Sequence, residues 1–169
     1  LFEKVCLAIK VAIDLNIDKK VIQKALPFLS FEGRFQYLNK GKIKNKLNKN
    51  ELIMIDGAHA TADAQNLASY LRKIKIPKYG IWAMTKNKDP DSFIKQLKGI
   101  FKKIVTMPIN NEVNSVSAQE LYKVATENKF NVEKSDSFAQ ALKKISSKEK
   151  KLIVCFGSLY NCGNILNKN

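Results

Sequence analysis

From residue 52 onward, short apolar runs alternate with longer stretches of helical periodicity, and no other feature limits the fold so tightly. Residues 52–55 read as a strand and 60–74 as a helix. Residues 79–84 are a second strand, followed by a helix at 89–98 capped by Asp89 with Pro90 at its first position. A strand at 104–107 leads to a helix at 117–127, where Ser117 and Glu120 have the spacing of a capping box. A short extended piece at 130–132 precedes a helix at 135–145. The last strand and helix fall at 152–156 and 159–166. Strands alternating with helices of this length call for an α/β fold, a mainly parallel sheet flanked by helices on both faces and joined by right-handed crossovers.

The region before residue 52 is different. Residues 1–15 have helical periodicity, with Val5, Ala8, Ile9, Ala12 and Ile13 on one side. Asp18 caps a second short helix that runs to about Leu26 and is closed by Pro27. This pair offers too little surface for a core of its own. It is expected to pack against an upstream domain or against the body of the chain. Residues 34–38 alternate and read as a strand. The polar stretch 39–50 is a hairpin tip or loop, with Ile43 and Leu47 touching the body. The chain opens in mid-helix without a starting Met and reads as a piece of something longer.

A formal net charge of +15 raises nucleic acid or an anionic surface as partner. The distribution argues against it. Arg34 and Arg72 are the only arginines, and the lysines are spread along the whole chain among many Asn and Ile. Arginine is the usual choice for bidentate phosphate and base contacts. No apolar run approaches the ~20 residues needed to cross a bilayer, and no secretory signal order is visible. Cys6, Cys155 and Cys162 are odd in number and lack C-x-x-C spacing, so reduced, buried thiols in a cytoplasmic protein are expected.

In a parallel sheet, ligands bind outside the carboxyl ends of the strands. Three loops there stand out: Met54-Ile55-Asp56-Gly57-Ala58-His59, Met84-Thr85-Lys86-Asn87-Lys88-Asp89, and Phe156-Gly157-Ser158-Leu159-Tyr160. Asp56 ends a strand, where a carboxylate accepts two hydrogen bonds from a diol well; it also suits a helix cap. Gly57 permits a tight turn. His59, the only histidine, lies in the first turn of the next helix, either facing the cleft or as a satisfied, partly buried imidazole. A metal reading would use Asp56, His59 and Asp63, but no fourth ligand is evident. There is no G-x-x-x-x-G-K-[ST], no G-x-G-x-x-G and no G-x-S-x-G around Ser158; if the chain takes part in nucleotide chemistry, the phosphate loop must come from elsewhere.

Five segments occur in a telling order: "FEGRFQYL", "IMIDGAHATADAQNLASYL", "GIWAMTKNKDPDSFIKQL", "MPINNEVNSVSAQELYKVA" and "LIVCFGSLYNCGNIL". Together the set resembles the bifunctional folylpolyglutamate synthase/dihydrofolate synthase family of the Mur-ligase superfamily. The resemblance implies a Rossmann-like, three-layer C-terminal domain over residues 31–169, with residues 1–30 the helical end of a central ATPase domain. It implies an ATP-dependent ligase that adds L-glutamate to dihydropteroate or a reduced folate through an acyl phosphate. Mg²⁺ and the phosphate loop would be held mainly by the central domain, so this chain alone would be inactive.

Carried across by motif, Arg34 resembles the family arginine that reaches the nucleotide. Asp56 resembles the aspartate that binds ribose hydroxyls, and His59 the histidine near nucleotide and glutamate. Ser158 resembles a residue that helps hold glutamate. Lys86 and Asp89 match a family loop without a chemical role. The family motif continues with Asn and Pro after the histidine, where this chain has Ala60 and Thr61. A cytoplasmic monomer without membrane or nucleic-acid partners is expected. The competing readings are a Mur-type peptidoglycan precursor ligase domain, a basic nucleic-acid-binding module, and a non-catalytic remnant.

Overall fold

The computed structural model of the chain describes residues 2–169, and side chains from residue 5 onward. It divides into two compact units, Leu1–Glu32 and Gly33–Asn169. In the first unit, helix α1 (Phe2–Asp14) is followed by α2 (Lys19–Ala25) and a 3-10 turn at Leu26–Phe28. Asp18 caps α2, its carboxylate accepting from the Lys20 N–H at 2.7 Å. Pro27 sits inside the 3-10 turn rather than closing α2 directly. Cys6 is exposed, contrary to the expectation of three buried thiols, while Cys155 and Cys162 are buried.

The second unit is a six-stranded sheet in the order β1-β2-β6-β3-β4-β5, flanked by helices on both faces. The strands are β1 (Gln36–Tyr37), β2 (Glu51–Asp56), β3 (Lys78–Trp82), β4 (Lys103–Thr106), β5 (Val132–Lys134) and β6 (Lys151–Phe156). Only β1 runs antiparallel, against β2, and it is shorter than the alternation suggested. The polar stretch between them is not a bare loop: α3 (Lys42–Lys46) forms there and buries Ile43. Ile43 and Leu47 do pack on the body, as expected, but the short turn that seats them is helical.

Residues on the inner strands point alternately to the two faces, as pleating requires. Met54, Trp82, Ile104, Val154 and Phe156 face α4 (Thr61–Arg72), α5 (Pro90–Lys95) and α6 (Ala118–Glu127). Ile53, Ile55, Ile81, Val105 and Cys155 face α3, α7 (Phe138–Ile145) and α8 (Leu159–Leu166). The strands are apolar on both sides because both sides are covered. Trp82, Phe93, Phe101 and Phe156 form an aromatic cluster, with Phe101 and Phe156 stacked at 5.1 Å between centroids.

The helix starts obey local rules. Ser117 and Glu120 make the reciprocal capping box, and Asp89 caps α5 with Pro90 in its first turn. The α4 connection from β2 to β3 passes over one face, whereas the α7 connection from β5 returns to β6 over the other. Strand β6 therefore lies between β2 and β3, and the crossovers change face there. That is a topological switch point, where the loops part and leave a crevice.

Candidate functional site

Four loops meet at the carboxyl ends of the strands around that switch point. The pocket between them has a volume of about 300 Å³ and is lined by residues that follow β2 (His59), β3 (Thr85, Asn87, Lys88), β4 (Glu112, Asn114) and β6 (Ser158, Leu159, Tyr160). Of the residues singled out in the sequence, His59 and Ser158 meet here. Arg34 and Asp56 do not line it.

Asp56 is the last residue of β2 and is buried. One carboxylate oxygen accepts from the Phe35 N–H at 2.8 Å and the other from the Ala58 N–H at 2.8 Å. The Gly57 N–H donates to the Gly33 carbonyl at 2.6 Å. The carboxylate thus ties the 33–35 turn to the end of β2. Phe35 has φ 46°, a left-handed conformation that is strained for a bulky aromatic and needs such a tie. Burial pushes the Asp56 acid above its usual range, against the two N–H bonds and the Arg34 guanidinium, which pull it down. Arg34, half-buried in the same turn, is placed by this arrangement rather than by a regular element.

Gly57 was expected to serve a tight turn. Its structural reason is proximity: a Cβ there would lie 2.2 Å from Leu159 Cδ2 and 3.2 Å from Leu159 Cα. The first turn of α8 packs directly on the end of β2. Gly157, with φ 105°, does need backbone freedom, and a Cβ there would lie 2.3 Å from the Ala83 carbonyl oxygen.

His59 is half-buried, with Nδ1 2.8 Å from the Gly57 carbonyl oxygen. A carbonyl only accepts, so Nδ1 carries the proton, and the neutral tautomer with that bond has Nε2 as its acceptor. Asp63 Oδ2 stands 4.0 Å from Nδ1. Ser158 is buried and caps α8: its Oγ accepts from the Tyr160 N–H at 3.1 Å, leaving the hydroxyl proton to donate. The helix N-terminus behind it favours an anion. Beside the site, burial pushes the Cys162 thiol up to about 12, so it stays protonated.

Asp56, His59 and Asp63 do not form a metal-binding set; no group of three metal-ligating side chains occurs among the described residues. Lys86 is exposed and Asp89 is spent on capping α5. Thr85, Lys88 and Glu112 were not singled out by the sequence. Lys88 and Thr85 lie in a loop already placed at a strand end. Glu112 sits in a polar turn with no motif, and only the fold brings it to the pocket.

No curated protein matches the chain. Its fold matches solved structures of longer enzymes. FolC of E. coli in complex with DHPP and ADP superposes with a TM-score of 0.71 at 17% identity, over 89% of this chain and 34% of that one. Folylpolyglutamate synthase of Mycobacterium tuberculosis, complexed with ADP and AMPPCP, gives 0.74 at 18%, over 89% and 35%. A bifunctional folylpolyglutamate synthase/dihydrofolate synthase with Mn, AMPPNP and L-glutamate bound gives 0.71 at 17%, over 89% and 34%. The chain therefore spans about a third of the length of these enzymes. Residues 39–168 match the family profile of the dihydrofolate synthetase C-terminal domain, and the chain belongs to that family.

Proposed function

We propose that this chain is one wall of an ATP-dependent amide ligase that adds L-glutamate to dihydropteroate or a reduced folate. Residues 1–30 are the helical end of a central ATPase domain, and residues 31–169 are the domain that closes over its cleft. The observation that carries the reading is the convergence of His59 and Ser158 in the switch-point pocket, on a fold shared with enzymes solved with nucleotide and, in one case, with L-glutamate.

The chemistry divides between the two parts. The upstream part would hold the ATP phosphates and Mg²⁺, which would neutralise charge on the transferring phosphoryl group. A substrate carboxylate oxygen attacks the γ-phosphorus, and ADP leaves. The glutamate amine then attacks the acyl carbon, the C–N bond forms, and inorganic phosphate leaves with the C–O bond electrons. The amine must shed a proton in this step. The acceptor Nε2 of His59 takes or holds it, and Nδ1–H on the Gly57 carbonyl keeps the ring oriented. Ser158 and the N-terminus of α8 hold a glutamate carboxylate. Arg34 lies against the nucleotide as a planar cation. Asp56 positions Arg34 through the 33–35 turn, which its carboxylate holds.

The test combines this chain with the central and N-terminal portion of such an enzyme and measures phosphate release dependent on both glutamate and folate. Activity is expected only with both parts. Asp56→Ala is expected to reduce it at least about tenfold, the effect of losing about 1.4 kcal/mol of positioning. Phosphate release that ignores glutamate, or a folded mixture that releases none, would overturn the reading.

A further inference from the structure

On the face of the sheet covered by α3, α7 and α8 lies a second cavity, of about 510 Å³, which shares no lining residue with the switch-point pocket. Ile43 and Leu47 wall it from the α3 side, and Phe138 and Leu142 from α7. Ile43 and Phe138 are buried, and Leu47 and Leu142 half-buried. An open apolar concavity of this size is where small ligands bind. Its walls are aliphatic apart from one ring, which suits a flexible chain better than a flat ring system.

Hydrogen bonds at both ends of α3 fix its spacing from α7 and keep the cavity open. At its start, the Lys42 N–H donates to the Asn169 main-chain oxygen at 2.7 Å, and the Ile43 N–H to the Asn169 side-chain oxygen at 3.2 Å. Just past its end, the Asn48 amide donates to the Ser146 hydroxyl at 3.0 Å and to the Ser147 carbonyl at 3.2 Å, where α7 finishes. Walls fixed beforehand need little further ordering when a ligand enters.

The charge around the cavity has one sign. Lys46, Lys143 and Lys168 line it and are exposed, and no acidic side chain lines it. Among the described residues none of the three makes an ion pair. Lysines lay their apolar stems along such walls and keep the ammonium in water, where it can meet an anion at the mouth. We propose that this cavity binds a small amphipathic anion, an unbranched acyl chain that ends in a carboxylate. The chain lies along α7, about 13 Å from Ser137 to Ser146, and its carboxylate meets the rim lysines. The site is separate from the proposed ligase cleft, so neither reading depends on the other.

NMR titrations of this chain with decanoate, decanol and butyrate, followed at the amides of residues 42–47 and 138–146, separate the charge from the chain. Decanol lacks the charge, and butyrate lacks most of the apolar body. Decanoate is expected to bind about fivefold more tightly than decanol, the upper range for one exposed charge pair. It should bind at least about tenfold more tightly than butyrate, the effect of about two buried methylenes. The triple variant Lys46→Gln, Lys143→Gln, Lys168→Gln should abolish the preference over decanol. Leu142→Glu, which sets a like charge on the wall, should weaken decanoate at least about tenfold. The lysine variant changes exposed side chains alone, so the test does not depend on whether Leu142→Glu folds. Signals that decanoate leaves unmoved, equal binding of decanoate and decanol, or a lysine variant that keeps the preference would overturn the inference. So would signals that move only with anionic phospholipid vesicles, the mark of a membrane surface in place of a small ligand.

Discussion

At the scale of single residues, Asp56 shows how a buried carboxylate holds a turn. Its oxygens are bonded to Phe35 and Ala58 backbone N–H groups, yet burial raises its acid above the ordinary value of 3.8. Folding therefore favours the protonated form. That contribution is fully present below pH 3.8, and it is lost as pH rises through the higher pKa of the folded protein. Asp56→Asn removes the titration. Unfolding by denaturant across this range should show wild type losing stability relative to Asp56→Asn as pH rises; parallel curves would contradict the assignment. The sequence displayed Asp56 at a strand end, but not its tie to the 33–35 turn, because a hydrogen bond spanning 21 residues has no local signature.

At the scale of elements, α4 begins poorly. Its N-cap is Ala60, with no side-chain hydrogen bond to the first turn. Side-chain caps are worth about 1 kcal/mol, so Ala60→Asn should stabilise the protein by about that amount in thermal or denaturant unfolding. The other end of the sheet holds a buried polar knot. Glu51 accepts from the backbone N–H groups of Asn48 and Ser147 and from the Ser146 hydroxyl. Lys151 donates to the Ile145 carbonyl and Ser147 hydroxyl and lies over the Tyr79 ring at 4.4 Å. The two charges are 3.9 Å apart, so the neutral donors rather than the lysine satisfy the carboxylate. Glu51→Ala strands buried donors and should cost about 3–5 kcal/mol, whereas Lys151→Met keeps the apolar stem and should cost about 1–2 kcal/mol. Equal losses in chemical denaturation would argue against this asymmetry. Helix α7 begins at Phe138, three residues later than expected, capped by Ser137. The starts of α2, α5 and α6 were readable from sequence because capping acts within a few residues. The short β1 and the helix α3 were not, because partners distant in sequence decide both.

At the scale of the whole molecule, the unit Gly33–Asn169 has its own two-sided core. A chain shortened to residues 31–169 should therefore unfold in one cooperative transition, with a Tm within about 4 °C of the full chain, equivalent to less than about 1 kcal/mol. Calorimetry checks this, and a molten or broad transition would refute it. The sequence by itself determined the α/β class, the alternation of strands and helices, and the positions of three loops at strand ends. Each follows from periodicity and caps, which act over a few residues. Only the tertiary structure decided that β6 inserts between β2 and β3, that His59 and Ser158 consequently share a pocket with Lys88 and Glu112, and that Asp56 lies beneath a turn rather than in the cavity. Strand order is set by burying both sheet faces at once, a condition on the whole chain that no local window contains.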